Sequence, residues 1–316
     1  MAVFTKLNKN EIENFVKNYS IGSLDSFEEI VEGIENSNFK IICNNTPYIL
    51  TIFEKRVNNE DLPFFINLKH YLNKNQFLCP KPIEDNKGNT INEIKSKKAV
   101  IVTFLEGKKV LYPTVHHCKE IGRVTADLHL LSSNFNHKRI NGLGLNEWKK
   151  ILNKCQSKRL EKFKNIFMYL ENELLFLENN WPDELPSGII HGDLFKDNVF
   201  FKNQNISGVI DFYFSCFDFF IYEIALIIND WCFDLEKKSL KKEHFKSLID
   251  GYLSKRKIEE KEFIYLNILC RAAAVRILAT RLHDYLFHPD NAIVVKKDPF
   301  EYVNILKWHQ QNDIFE

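Results

Sequence analysis

Three oxygen-bearing side chains stand at spacings that phosphoryl chemistry can use. Asp193 and Asn198 lie five residues apart in Gly188-Ile-Ile-His191-Gly-Asp193-Leu-Phe-Lys-Asp-Asn198-Val-Phe-Phe201, and Asp211 closes the next apolar run, Ile206-Ser-Gly-Val-Ile-Asp211. Moving a phosphoryl group to a hydroxyl calls for a carboxylate beside the attacking oxygen. It also calls for oxygen ligands that hold Mg²⁺ against nucleotide phosphates. The flanking runs are short, β-branched and aromatic, and bounded by Gly and Asn, so they read as buried strands. Asp193 and Asn198 are therefore expected on a loop between strands and Asp211 at the end of the next strand, the three converging where nucleotide and acceptor meet. Gly192 lets the backbone turn sharply ahead of Asp193. His191 reads as a residue that shapes the loop by hydrogen bonding, and Asp197 as a solvated one.

Protein kinases use the same order: an Asp, an Asn five residues on, and a second Asp after a following strand. His191-Gly-Asp193-x-x-x-x-Asn198 followed by Ile210-Asp211-Phe212 resembles the signature of the aminoglycoside phosphotransferase-like, or choline kinase-like, small-molecule kinases. Longer strings resemble one branch, the bacterial type II homoserine kinases. They are Ala2-Val-Phe-Thr5, Gly33-Ile-Glu-Asn-Ser-Asn-Phe39, Tyr48-Ile-Leu-Thr-Ile-Phe-Glu-Lys-Arg56, Asp61-Leu-Pro-Phe64, Phe104-Leu-Glu-Gly107, Trp181-Pro182 and Asp211-Phe-Tyr-Phe214. The likeness runs nearly end to end.

The resemblance implies an α+β, protein-kinase-like two-lobed fold. An antiparallel-sheet, nucleotide-binding N-lobe would cover residues 1–105, and a mainly helical catalytic and substrate-binding C-lobe residues 106–316. It further implies ATP and Mg²⁺ as cofactors, with Asp193 as the catalytic carboxylate and Asn198 and Asp211 as metal ligands. The acceptor it implies is L-homoserine, giving O-phospho-L-homoserine on the route to threonine.

The rest of the expected site is less sharply marked. The loop over 32–38 would lie on the phosphates, with Gly33, Ser37 and Asn38 as the candidates. No Gly-x-x-x-x-Gly-Lys-[Ser/Thr] occurs, which disfavours a P-loop enzyme. The lysine that this fold places on the third strand is replaced by Thr51. Lys55 shares the face of Thr51 along an alternating strand, whereas Arg56 does not, so Lys55 is the candidate substitute. Glu60 or Asp61 would pair with it, or simply favour the helix N-terminus. Backbone groups near Phe104 and Glu106 would read the adenine edge, and Gly107 would permit the bend that follows. For an acceptor with a carboxylate and an ammonium, Arg276 lies on an otherwise apolar helix and is assigned the carboxylate; Asp218 or Asp230 is assigned the ammonium.

Two other readings compete. One keeps the reaction and changes the acceptor to another amino alcohol or an aminoglycoside. The stretch 211–231 is aromatic and aliphatic with few acids, unlike a site for a polycation. The other is a non-catalytic nucleotide-binding protein, suggested by Thr51 and opposed by the intact Asp193, Asn198 and Asp211.

Composition frames these expectations. The 316 residues are 45% apolar, enough for one two-lobed unit or two modest domains. Forty-three basic and 42 acidic residues give a net charge of +1, with nothing to favour nucleic acid or an anionic membrane as a partner. The seven cysteines form no Cys-x-x-Cys pair and read as free thiols of a reducing cytosol. No signal-peptide core and no run of membrane-spanning length is read, so a soluble, cytoplasmic protein is expected. Nothing sets an oligomeric state. Hydrophobic spacing predicts helices over 8–18, 59–72, 146–152, 160–179, 219–231, 245–253 and 263–285 and a long helix from Thr114. Strands are predicted over 26–34, 38–43, 48–53 and 98–104 besides those of the central motif.

Overall fold

The structure, a computed structural model, describes residues 5–31, 36–54, 57–158, 161–287 and 297–315. The chain divides into two compact units. The first contains Met1–Gly107 and Ser207–Tyr213; the second contains Lys108–Ile206, Phe214–Asp290 and the C-terminal stretch Val295–Glu316.

The first unit opens with α1 (Lys9–Val16), whose start is fixed by a capping box. Asn8 Oδ1 accepts from the Glu11 amide at 3.0 Å, and the Glu11 carboxylate accepts from the Asn8 amide at 2.8 Å. Five strands follow, β1 (Leu24–Ile30), β2 (Ser37–Cys43), β3 (Thr46–Ile52), β4 (Asn92–Ile94) and β5 (Lys97–Thr103), with α2 (Leu62–Lys74) between β3 and β4. They form one antiparallel sheet in the order β1-β2-β3-β5-β4. Asn44-Asn45 and Lys95-Ser96 both have positive φ, the backbone that two-residue hairpins demand. Pro63 lies in the first turn of α2, where its missing N–H does no harm.

Period-two alternation puts β5 into two cores. Ala99 and Ile101 pack with Ile12, Phe15, Phe39 and Leu50, while Val100 and Val102 pack with Phe53, Leu62, Phe65 and Ile66 of the α2 side. The sheet is thus covered on both faces. The expected meander is present, extended by β5 and by β4, whose three residues are too few to show a pattern in sequence.

The second unit is mainly helical: α3 (Val115–Ser132), α4 (Leu145–Gln156), α5 (Lys164–Asn179), α6 (Phe220–Trp231), α7 (Lys242–Leu253), α8 (Glu260–Phe287) and α9 (Phe300–Gln311). Its strands are short. β6 (Ser187–Ile190) pairs antiparallel with β9 (Cys216–Phe219); β7 (Val199–Lys202) leads through Asn203-Gln204, both at positive φ, into β8 (Asn205–Val209), within which the chain returns to the first unit. A small hairpin, β10 (Phe233–Asp234) with β11 (Ser239–Leu240), links α6 to α7. Helices α3 and α7 cross closely because Gly122 faces the backbone of Leu248 and Tyr252 in α7 and Gly251 faces that of Lys119 in α3, with no room for a Cβ on either. The β9 strand and the α9 helix were not expected from the sequence.

One expectation is corrected. Helix α8 is long and apolar enough by composition to cross a membrane, with a window of mean hydropathy 1.5, although no spanning run was read from the sequence. Sixty-one per cent of that window is buried inside the protein, where α4, α6 and α9 pack on it, so it serves as the central core helix.

Candidate active site

The loop after β6 carries Asp193. Gly192 has φ +76°, and a Cβ there would come within 2.8 Å of the Phe214 carbonyl oxygen, so the sharp turn requires glycine. The Asp193 amide donates to His191 Nδ1 at 3.2 Å, which puts a neutral ring's proton on Nε2. His191 is fully buried and shapes the loop, as expected. A single helical turn, Lys196–Asn198, then brings Asn198 back to Asp193. Asn198 Nδ2 donates to the Asp193 carbonyl at 2.8 Å and to its Oδ2 at 3.0 Å. With the amide nitrogen so engaged, Oδ1 remains the atom able to ligate a cation.

From α8, Arg276 Nη1 donates to the Gly192 carbonyl at 2.6 Å, and Nη2 lies 3.7 Å from Asp193 Oδ1. Arg276, 3% exposed, puts a buried positive charge beside the proposed catalytic carboxylate. The structure therefore brings Asp193, Asn198 and Arg276 together.

Asp211 belongs to the first unit and follows β8, which is tied in by the Val209 amide donating to the Leu78 carbonyl at 2.8 Å. Its φ is +65°, a left-handed conformation that non-glycine residues rarely adopt and that surrounding packing must hold. The packing is aromatic. Tyr213 meets Phe53 and Phe65 edge-on at 5.1 and 5.6 Å, and Phe212 meets Phe77 at 6.5 Å.

Lys69 is the functional candidate that sequence reasoning missed. It projects from α2 into this packing, 4% exposed, with Nζ donating to Tyr213 Oη at 3.3 Å and lying 4.9 Å from the ring centre. Burial lowers its ammonium to about 8, against the opposing pull of Cys79 and of the Asp211 charge. The signal was visible: Lys69 falls on the apolar stripe of Leu62, Phe65, Ile66 and Leu72.

Asn198 and Asp211 each carry hard oxygen atoms of the kind that Mg²⁺ takes as ligands. No group of three or more His, Cys, Asp or Glu side chains able to hold a metal gathers among the described residues.

The other expected residues fall as follows. Ser37, itself fully buried, has Oγ accepting from the Thr5 amide at 2.9 Å and donating to Glu54 Oε1 at 2.7 Å, so it is not presented to a phosphate. Burial would raise the Glu54 carboxyl, but bonds from Lys97, Ser37 and Thr5 hold it below the usual range. Asn38 Oδ1 accepts from Thr51 Oγ1 at 2.8 Å, so the two sequence-marked positions satisfy each other. Gly33, Lys55 and Arg56 lie outside the described residues. Phe104 follows β5 with Lys40 Nζ 5.3 Å from its ring, Glu106 is exposed, and Gly107 has φ +143°, the bend expected of it.

Asp218 accepts from Asn141 Nδ2 at 2.6 Å and from the Phe219 amide at 2.7 Å. Its carboxyl is nonetheless raised by burial, against Asn141, the amide and Arg276. Asp230 is corrected: its Oδ2 accepts from the Lys196 amide at 2.8 Å and its Oδ1 lies 3.7 Å from Lys196 Nζ, which commits it to the Asp193 loop rather than to an ammonium.

A model of a phosphotransferase enzyme family matches residues 26–250. The chain belongs to the phosphotransferase enzyme family. It is 43% identical over 310 residues to a homoserine kinase of Bartonella henselae, covering 98% of this chain and 95% of that protein. It is 42% identical over 311 residues to a homoserine kinase of Brucella anthropi, with the same coverage. Among solved structures it resembles an amicoumacin kinase in complex with AMP-PNP and Ca²⁺, with a TM-score of 0.71 at 12% identity, over 98% of this chain and 95% of that one. It also resembles a spectinomycin phosphotransferase in complex with ADP, with a TM-score of 0.69 at 12% identity, over 96% and 94% of the two chains. At these identities the structural likeness is one of fold. The α+β arrangement expected from the sequence, an antiparallel N-terminal sheet and a mainly helical C-terminal part, is the one this family member has.

Proposed function

We propose that this protein is a homoserine kinase, transferring the γ-phosphoryl group of ATP to the hydroxyl of L-homoserine. The observation that carries the reaction is the Asp193–Asn198 pair, with Asn198 Nδ2 at 3.0 Å from Asp193 Oδ2 and Arg276 behind the same carboxylate. The acceptor is taken from the relatives at 43% identity. Asp193 would orient the acceptor hydroxyl and take its proton, a contribution of about 10²- to 10⁴-fold. Asn198 Oδ1 and Asp211 would hold Mg²⁺. When bound, the metal supplies positive charge against the nucleotide phosphates. Arg276 carries a buried positive edge toward Asp193, and there we place the carboxylate of homoserine. Asp218, whose charge burial disfavours, would gain from a cationic partner, and we assign it the ammonium. A biosynthetic role in the cytoplasm belongs to the same proposal.

The test is ADP release over a panel of homoserine, choline, ethanolamine and an aminoglycoside, with Mg²⁺ present and chelated. Release with homoserine alone, lost on chelation, is the expected result. A preference for another acceptor, or no release with any, would overturn the assignment.

A further inference from the structure

The loop that carries Asp193 hangs on α6. Glu223 Oε2 accepts from the His191 amide at 3.0 Å and Oε1 from the Gly192 amide at 2.7 Å. Two turns on, Asp230 accepts from the Lys196 amide, and Trp231 Nε1 donates to the Leu194 carbonyl at 3.0 Å. Glu223 and Asp230, seven residues apart, share one helix face. One helix therefore grips the loop on both sides of Asp193.

Glu223 is fully buried, and an unsupported carboxylate there would be strongly disfavoured. Its support comes from a chain of donors that all point the same way. Arg256 Nη1 donates to Tyr252 Oη at 3.1 Å, Tyr252 Oη meets His129 Nδ1 at 2.7 Å, and His129 Nε2 meets Glu223 Oε2 at 2.9 Å. Glu223 can only accept, so His129 Nε2 carries a proton toward it; in a neutral ring Nδ1 then accepts from Tyr252 Oη, whose oxygen accepts from Arg256. Burial keeps His129 below its ordinary range, in keeping with a neutral ring, although the Glu223 charge opposes this. The far end is closed by Glu262, which accepts both Arg256 arms at 3.0 and 3.2 Å. His129 is also stacked on Phe220, with ring centres 4.4 Å apart, so it has no freedom to turn away.

We infer that Arg256, Tyr252, His129 and Glu223 form a one-directional donor relay that sets the position of the Asp193 loop, with Glu223 and His129 as positioning residues for phosphoryl transfer. A glutamine at 223 has one acceptor oxygen for three donors. Its amide nitrogen would face either the Gly192 amide or the His191 amide and His129, donor against donor. An aspartate keeps two oxygens and loses only reach.

The inference rests on the proposed homoserine kinase reaction, and the experiment separates the two. Turnover of homoserine by the parent enzyme is measured first; its absence defeats the proposed reaction and leaves the relay to hydrogen exchange. Glu223→Gln is expected to lower kcat about 100-fold, the scale of an ångström-level misplacement, with KM for ATP and homoserine within about threefold. Glu223→Asp is expected to recover at least about tenfold of that loss. Amide exchange of the 188–195 segment should accelerate in Glu223→Gln and less in Glu223→Asp. If Glu223→Gln does not fold, His129→Leu and His129→Gln decide. The first should lose about tenfold in kcat at unchanged KM, and the second, which keeps a donor toward Glu223, should lie nearer the parent. Parent-like kcat per nucleotide-binding molecule, unchanged exchange, or no rescue by the conservative variants would overturn the relay.

Discussion

Replacing Lys69 with methionine tests how the first unit holds a charge inside an aromatic core. The folded protein gives up the Lys69 proton near pH 8, whereas an unfolded chain does so near 10.5. Between these values the unfolded state binds the extra proton, so stability rises with pH across that window. The gap of 2.5 units corresponds to roughly 3 kcal/mol disfavouring the fold below pH 8. Methionine fills the same length with no charge. Lost with the ammonium are a hydrogen bond to Tyr213 and its approach to the ring, together about 1 to 2 kcal/mol. Lys69→Met should therefore be more stable than the parent at pH 7 by about 1 to 2 kcal/mol. Its advantage should shrink by about 1 kcal/mol between pH 7 and pH 9 as the parent's lysine begins to lose its proton in the fold. Urea unfolding at both pH values measures this. A variant less stable than the parent at pH 7, with a difference that does not change with pH, would refute the reasoning. Because Lys69 sits beside the packing that fixes Asp211, kcat/KM for ATP should fall by about tenfold in the same variant, a difference of 1.4 kcal/mol.

Two further perturbations act in the second unit. Gly192→Ala places a Cβ at 2.8 Å from the Phe214 carbonyl oxygen with φ at +76°, and kcat should fall by about 10- to 100-fold with KM within about twofold, read from steady-state kinetics. Arg271→Met leaves the buried Glu173 carboxylate without its two-pronged partner, whose bonds are 2.7 and 2.8 Å. Thermal unfolding should report a loss of about 3 to 5 kcal/mol, largely recovered when Glu173→Gln is added.

The residues proposed to react stand out in the sequence because phosphoryl transfer fixes residue types and spacings locally. Asp193, Asn198 and Asp211 announce themselves by chemistry, and the strands around them by short apolar runs. What positions them was not legible. Glu223 and Asp230 were visible as acids on an apolar helix, but their partners are backbone amides about 30 residues upstream, which leave no mark in the side-chain pattern. For the same reason Asp230 was read as a ligand for an ammonium when its carboxylate closes the loop. Ser37 stood in a loop suited to phosphate, yet the Glu54 carboxylate that captures its hydroxyl comes from beyond the next strand. Strand β9 merges into the aromatic run that starts α6, and α9 begins after Pro299 with no capping side chain to announce it. Lys69 was readable and overlooked; a lysine on an apolar helical stripe marks an engaged charge.

The most direct measurement is homoserine-dependent ADP formation by the parent and by Asp193→Ala, with nucleotide binding followed alongside. The parent should turn over homoserine, and the variant should lose about 10²- to 10⁴-fold in kcat while binding nucleotide as the parent does. Turnover in Asp193→Ala within a few-fold of the parent would contradict the assignment of Asp193, and with it the chemistry derived for this site.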